Sequence, residues 1–135
     1  MYAANLEIAK KMAEYERRKA LPVKARYPIA TTGAKTRDGG VVTLGSSGIV
    51  IDDNNAARVG DEVVYPDGSK ASITSGAGYA MTDRGKPLAI IGSTLSNGDV
   101  ITESPSESFV ITEFEGAPPI PGLLDPSYVY SVDTD

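Results

Sequence analysis

Asn55-Ala56-Ala57-Arg58-Val59-Gly60-Asp61 is the stretch on which the reading of this chain turns. Two looser copies flank it, Pro28-Ile29-Ala30-Thr31-Thr32-Gly33 before and Pro87-Leu88-Ala89-Ile90-Ile91-Gly92 after. Each of these heads is followed by a turn dipeptide: Asp38-Gly39, Asp67-Gly68 or Asn97-Gly98. Such pairs suit a type I′ hairpin, in which both central residues need positive φ. An apolar run follows each turn, Gly48-Ile49-Val50-Ile51, Gly78-Tyr79-Ala80-Met81 and Ser108-Phe109-Val110-Ile111, in steps of 30 residues. An acid stands two positions beyond each run, at Asp53, Asp83 and Glu113, and Gly116-Ala117-Pro118-Pro119-Ile120-Pro121-Gly122 echoes a fourth head. Three elements recurring in one order identify an internal repeat rather than a chance likeness among Gly- and Val-rich hairpins.

A unit of head strand, turn, return strand and outer strand is too short to bury a face alone. Three copies are therefore expected to share one core about a pseudo-threefold axis. The expected fold is all-β, a small cone or prism of short strands. Small residues in the heads suit strands that converge closely, and Gly33, Gly60 and Gly92 are expected where the backbone bends or crowds its neighbours. Alternation along the outer strands puts Ile49, Ile51, Tyr79, Met81, Phe109 and Ile111 on one side and Val50, Ala80 and Val110 on the other. The large set reads either as internal core, the favoured assignment, or in part as an apolar base offered to a partner.

Sequence outside the repeats differs in texture. Residues 1–26 form an expected helical extension, with Asn5 as cap and Leu6, Ile8, Ala9, Met12, Ala13 and Tyr15 as an apolar stripe over residues 4–20; Pro22 marks its stop. Residues 27–116 hold the threefold domain. Residues 117–135 hold four of the nine prolines and read as an irregular acidic arm, with Tyr128 and Tyr130 as anchors.

Composition narrows the chemistry. The chain has 135 residues, which suggests one domain, and neither cysteine nor histidine. Disulfides, thiolate chemistry and the commonest general base are thereby excluded. The carboxylate pairs Asp52/Asp53 and Glu113/Glu115 fall in turns or after strands, where acids are ordinarily solvated. Gly45-Ser46-Ser47-Gly48 and Thr74-Ser75-Gly76-Ala77-Gly78 look like phosphate loops, but neither leads into a helix or carries the loop lysine. Ser46 and Ser75 have no evident base. No catalytic residue is assigned. The formal charge of −5 and the absence of tryptophan argue against nucleic acid. The N-terminus lacks the apolar stretch of a secretory signal. The expectation is synthesis in the cytoplasm, with export by another route.

The Ala56-Ala57-Arg58-Val59-Gly60-Asp61 string, its related heads and the Gly-rich hairpins between them resemble PAAR-repeat proteins over about residues 28–116. The resemblance implies a β cone whose base docks on the blunt end of a trimeric β-helical spike. That partner is a valine-glycine repeat protein of type VI secretion or a phage tail-spike relative. One chain per trimer is implied, with transient membrane contact during puncture, delivery into the medium or a target cell on firing, and effector or adaptor cargo on the terminal arms. The name-giving proline is replaced by Asn55 in the second head, and the arginine position is Thr31 or Ile90 in the others. Family members also hold zinc near the vertex through histidines and a cysteine, residues this chain lacks, so no zinc or other cofactor is expected. Asp38, Asp67 and Asp99 lie near equivalent turns and could offer oxygen ligands to calcium or magnesium. The favoured reading is that they simply suit turns, leaving the vertex to packing and turn hydrogen bonds. A β-prism-like carbohydrate-binding module is the rival architecture; Tyr65, Tyr79 and Phe109 do not occupy equivalent positions, which weighs against it.

Overall fold

Turn residues recur so often between residues 28 and 116 that the strands are short, and the longest spans six residues. The computed structural model describes residues 21–128. The helix expected over 4–20 and the anchor Tyr130 lie outside the described residues. Within them the strands are β1 (Val23–Pro28), β2 (Lys35–Thr36), β3 (Val41–Val42), β4 (Val50–Ile51), β5 (Asn54–Asn55), β6 (Glu62–Val64), β7 (Lys70–Ser72), β8 (Thr82–Asp83), β9 (Lys86–Pro87), β10 (Ile101–Glu103) and β11 (Val110–Phe114). The fold is all-β.

The three heads meet around one axis. Ala30 donates its amide to the Ala89 carbonyl at 2.9 Å, Ala57 donates to Ala30 at 2.9 Å, and Ala89 donates to Ala57 at 2.8 Å. This cycle closes on itself. A second cycle surrounds it, in which Thr32, Val59 and Ile91 donate to the carbonyls of Asn55, Pro87 and Pro28 at 2.9–3.0 Å. Three isolated antiparallel bridges, Ile29 with Ile90, Thr31 with Ala56 and Arg58 with Leu88, repeat the same geometry. Alanine is required here by space. Ala30, Ala57 and Ala89 are all fully buried, and larger side chains would push the converging backbones apart.

On one side of the ring, three hairpins close into a single wall. β10-β2-β3-β6-β7 form a continuous sheet, and the Ile73–Leu95 and Thr94–Val100 bridges join its two ends. The register between units is threefold: Val42 faces Val63, Ile73 faces Leu95 and Ile101 faces Thr36. Val42, Val63, Ile73, Leu95 and Ile101 make one buried cluster with the ring alanines, and Thr36 is a buried polar residue outside that cluster. On the other side, Ile29, Ala56 and Leu88, one residue before the ring alanines, build a second cluster with Ile51, Ala77 and Ile90. Period-2 alternation along each head thus feeds two cores on opposite faces of the ring.

Two sequence expectations are corrected. Asp38-Gly39, Asp67-Gly68 and Asn97-Gly98 do not form type I′ turns. Only the glycines have positive φ, at 92°, 87° and 87°, and their amides donate to Thr36, Tyr65 and Leu95. These are three-residue loops in which a turn is followed by a glycine bulge. Both-positive pairs occur instead at Asp52-Asp53, joining β4 to β5, and at Arg84-Gly85, joining β8 to β9. The second correction concerns the outer strand expected at 78–81. Gly78–Ala80 is a 3-10 turn, and Met81 rather than Tyr79 takes the place of Ile49 and Phe109. The carbonyls of Ile49, Met81 and Phe109 accept from Ala56, Leu88 and Ile29. Met81 stands four positions after Ala77 where Ile49 stands two after Ser47, and the extra pair is absorbed by the 3-10 turn.

The third unit has no turn to join its ribbon. β11 pairs with β1, so the strand entering the first head completes the ribbon that β4-β5 and β8-β9 form elsewhere. The bend glycines Gly33, Gly60 and Gly92 have φ of 94°, 99° and 101°, and their amides donate to Val42, Ile73 and Ile101.

Candidate interaction face and vertex

The three ribbons β4-β5, β8-β9 and β1-β11 stand on the side of the ring away from the hairpins. Of the large residues assigned to core or docking, Ile51 is buried and Ile49, Met81 and Ile111 pack at the margin of the second cluster. Tyr79 and Phe109 do not join that core: they are 74% and 45% exposed. Val50, predicted to point to the opposite side from these, is exposed as well, at 59%. Each unit therefore shows a large apolar side chain to solvent in its ribbon region, and Val23 at the start of β1 adds a further one to the third ribbon. Tyr79 escapes the core because it lies in the 3-10 turn, a placement that strict alternation could not reveal.

The C-terminal arm joins this side. Leu124 donates to the Gly76 carbonyl at 2.8 Å, Tyr79 donates to Pro121 at 2.9 Å, and Leu123 and Leu124 pack on the second cluster. Tyr128 lies over Gly122, where a side chain would collide with its ring.

The repeat string has specific work. Asn55 begins the second head; its side-chain amide donates to Ser47 at 2.9 Å and its carbonyl accepts from Thr32. Ala56 belongs to the second cluster and Ala57 to the ring. Asp61 accepts from the amides of Arg58 (2.8 Å) and Ser46 (2.9 Å), clasping the bend at Gly60. Arg58 itself donates to Ser46 Oγ at 2.9 Å and to the Asp83 carbonyl at 3.1 Å. Val59 makes the outer cycle with Pro87, and Gly92 lets Leu124 approach.

The other side holds the hairpin turns, and its three acids differ. Asp38 is exposed and pairs with Arg37. Asp67 is exposed and accepts from Ser69 N (2.9 Å) and Ser69 Oγ (2.6 Å), capping its own turn. Asp99 is 1% exposed. It accepts the Tyr65 hydroxyl at 2.5 Å and the amides of Val100 (2.8 Å) and Asp38 (3.2 Å). Burial acts to raise its carboxyl, but the hydroxyls of Thr36 and Tyr65 and the Val100 and Asp38 amides outweigh burial and hold it below the ordinary carboxylate value. Sequence reading grouped these three acids; only burial separates them.

Four of the groups considered for catalysis, Asp52, Glu113, Ser46 and Ser75, are engaged in structure. Asp52 accepts from the hydroxyls of Ser106 and Ser108, which hold its carboxyl below the usual range. Glu113 accepts from Tyr27 at 2.9 Å, Ser46 Oγ accepts from Arg58, and Ser75 Oγ pairs with Thr94 Oγ1 at 2.8 Å. Among the described residues, no helix is long and apolar enough to cross a membrane.

Comparison with known proteins agrees with this geometry. No curated protein gives a significant match. A family model described as the PAAR motif matches residues 32–103. The match runs from the end of the first head through all three hairpins to β10, the region that the cyclic ring and the closed hairpin wall organise. By that match, with three alanine-centred heads closing on one another, the chain belongs to the PAAR-motif family.

Proposed function

We propose that this chain is a structural tip that caps the trimeric β-helical spike of a contractile injection system, one copy per trimer. The observation that carries this reading is the closed cycle Ala30–Ala89–Ala57. A single chain gains three near-equivalent faces from it, and such faces match a partner with true threefold symmetry at the cost of no mismatch. The ribbon side is the docking side. It bears an exposed apolar side chain in each unit, Val50, Tyr79 and Phe109, and apolar residues left in solvent mark contact surfaces when they gather on one face. The hairpin side then points forward, and the short, closed wall leaves few free strand edges there.

In this role the protein has no catalytic task. It closes the spike, bears compression during puncture, makes transient membrane contact and leaves the cytoplasm when the machine fires. A type VI spike of the valine-glycine repeat kind is the favoured partner, with a phage tail-spike as the same reading in another machine. Residues 1–26 and 117–135 fall outside the three repeats in the sequence, and we assign effector or adaptor cargo to these segments, although Val23–Pro28 also form β1.

Copurification with a trimeric β-helical spike tests the docking side. The double substitution Tyr79→Glu and Phe109→Glu is expected to abolish copurification while leaving the circular dichroism of the tip unchanged. Undiminished binding by a folded double variant would overturn the assignment of this face.

A further inference from the structure

The vertex presents a fit problem for the metal that family resemblance implies. Near Asp99 the groups are the Tyr65 phenol, the Thr36 hydroxyl, the Asn97 amide, the backbone amides of Asp38 and Val100, and the Arg37 guanidinium. Most of these are donors. Both carboxylate oxygens are already occupied, Oδ2 by Tyr65 and Oδ1 by Val100 and Asp38. Arg37 Nε stands 3.8 Å from Oδ1, so a cation is already present. Zinc favours thiolate and imidazole. A set of N–H and O–H donors around one carboxylate does not fit it.

What this set does instead follows from where its members come from. Asp99 and Asn97 stand in the third hairpin, Arg37 and Asp38 in the first, and Tyr65 in the second. The second hairpin is two residues longer on each arm: its loop runs from Tyr65 to Ser69 above a base at Asp61 and Ile73, whereas the first runs from Thr36 to Gly40 above Ala34 and Val42. That extra length carries Tyr65 to the third hairpin. Its path over the first hairpin is open because residue 40 is glycine: an added Cβ there would lie 2.8 Å from the Tyr65 ring and 2.5 Å from Val63. Asn97 Nδ2 then donates to the Tyr65 oxygen at 3.0 Å, so the phenol is held from both directions.

We infer that the Asp99 carboxylate does at this vertex what a metal ion does elsewhere, fastening all three hairpins at one buried point through the Tyr65 hydroxyl, the Asp38 amide and its own strand. The clasp is asymmetric, as a single charge on a threefold axis region must be when only one unit supplies it. It makes the tip independent of metal supply and indifferent to chelation. A buried carboxylate with full hydrogen bonding holds its partners, whereas the same carboxylate with a partner removed is costly. This inference concerns how the vertex is held and stands apart from the spike reading: a tip without the clasp could still dock by its other face.

Thermal unfolding of the full chain, with and without a chelator and with added zinc, provides the test, alongside Asp99→Asn, Tyr65→Phe and the double variant. The native melting temperature is expected to stay unchanged by chelator or zinc. Each single substitution is expected to lower it by roughly 5–10 °C. The double variant should lose clearly less than the two losses added, because both remove the same bond. A chelator-induced fall, a zinc-induced rise, an unchanged melting temperature in Tyr65→Phe, or full additivity would each overturn the inference. Should Asp99→Asn fail to fold, the Tyr65→Phe and chelator measurements decide alone.

Discussion

Arg58 places Nη1 3.4 Å from Asp83 Oδ2, with the two side chains 13% and 17% exposed. The same guanidinium donates to Ser46 Oγ, and Arg84 Nη2 donates to the Ser46 carbonyl at 3.0 Å. Ser46 follows the first hairpin, Arg58 is in the second head and Asp83 ends β8. One arginine thus ties together segments that enter the ring from different units. The arginine of the repeat string is consequently a structural residue in this chain, its side chain largely buried between two units rather than on the proposed docking face.

Arg58→Ala is expected to destabilise the fold by about 2 kcal/mol, the scale of hydrogen bonds to charged groups. Chemical denaturation measures it. Arg58→Lys should recover only part of the loss, because one ammonium cannot span Ser46 and Asp83 in the geometry of a planar fork.

The ring makes a sharper demand. Ala30, Ala57 and Ala89 are equivalent by hydrogen bonding and all fully buried. Replacing any one with leucine is expected to cost about 3 kcal/mol through overpacking, the upper end of the usual range. The three losses should agree within about 1 kcal/mol if the units are equivalent. A tolerated leucine at one position only would break the equivalence.

Close approach of backbone predicts a contrast between two glycines. A Cβ at Gly76 would lie 2.2 Å from the Leu88 carbonyl oxygen, whereas one at Gly48 meets nothing within 4 Å. Gly76→Ala should lower the melting temperature strongly, and Gly48→Ala should leave it nearly unchanged or raise it slightly by restricting the unfolded chain.

Stability should fall at both ends of the pH range. The Asp99 carboxyl is lowered in the folded state, burial being outweighed by its hydrogen bonds. Its contribution is therefore complete above the unfolded value of about 3.9 and is lost as pH falls through the lower folded value. Asp52, lowered by hydrogen bonds from Ser106 and Ser108, and Asp67, lowered by those from Ser69, act in the same window. Tyr65 is raised by burial and by Asp99, and Tyr27 by burial and by Glu113. Stability present below about pH 10 is accordingly lost as pH rises through their folded values. In denaturant titrations across pH, Asp99→Asn should flatten the acid limb and Tyr65→Phe the alkaline one, each in part. An acid limb unchanged by Asp99→Asn would contradict the assignment.

The ring was legible in the sequence because its physical requirement is local and repeated: a small residue flanked by strand formers, then a glycine, at Ala30, Ala57 and Ala89. The hairpins were legible for the same reason, since Asp-Gly and Asn-Gly mark turns of several kinds. Turn type was not, because the same dipeptide serves a two-residue turn or the end of a three-residue loop, and the choice depends on which strand residues pair. The I′ geometry at Asp52-Asp53 carries no glycine at all. It is held by serine hydroxyls more than 50 positions away along the chain. The even 30-residue spacing of the outer strands also misled. The longer second hairpin and the 3-10 turn at Gly78–Ala80 shift the second unit, so spacing alone aligned Tyr79 with Ile49 and Phe109. Asp99 was visible only as one of three turn acids, since its burial depends on Tyr65 arriving from another hairpin.

The central claim is that one chain imitates a trimer in order to sit on one. Native mass spectrometry of this protein coexpressed with a trimeric β-helical spike measures it directly. One copy of this chain bound to three spike subunits is the predicted result. Three copies per trimer, or a complex in which the chain itself is trimeric, would contradict it.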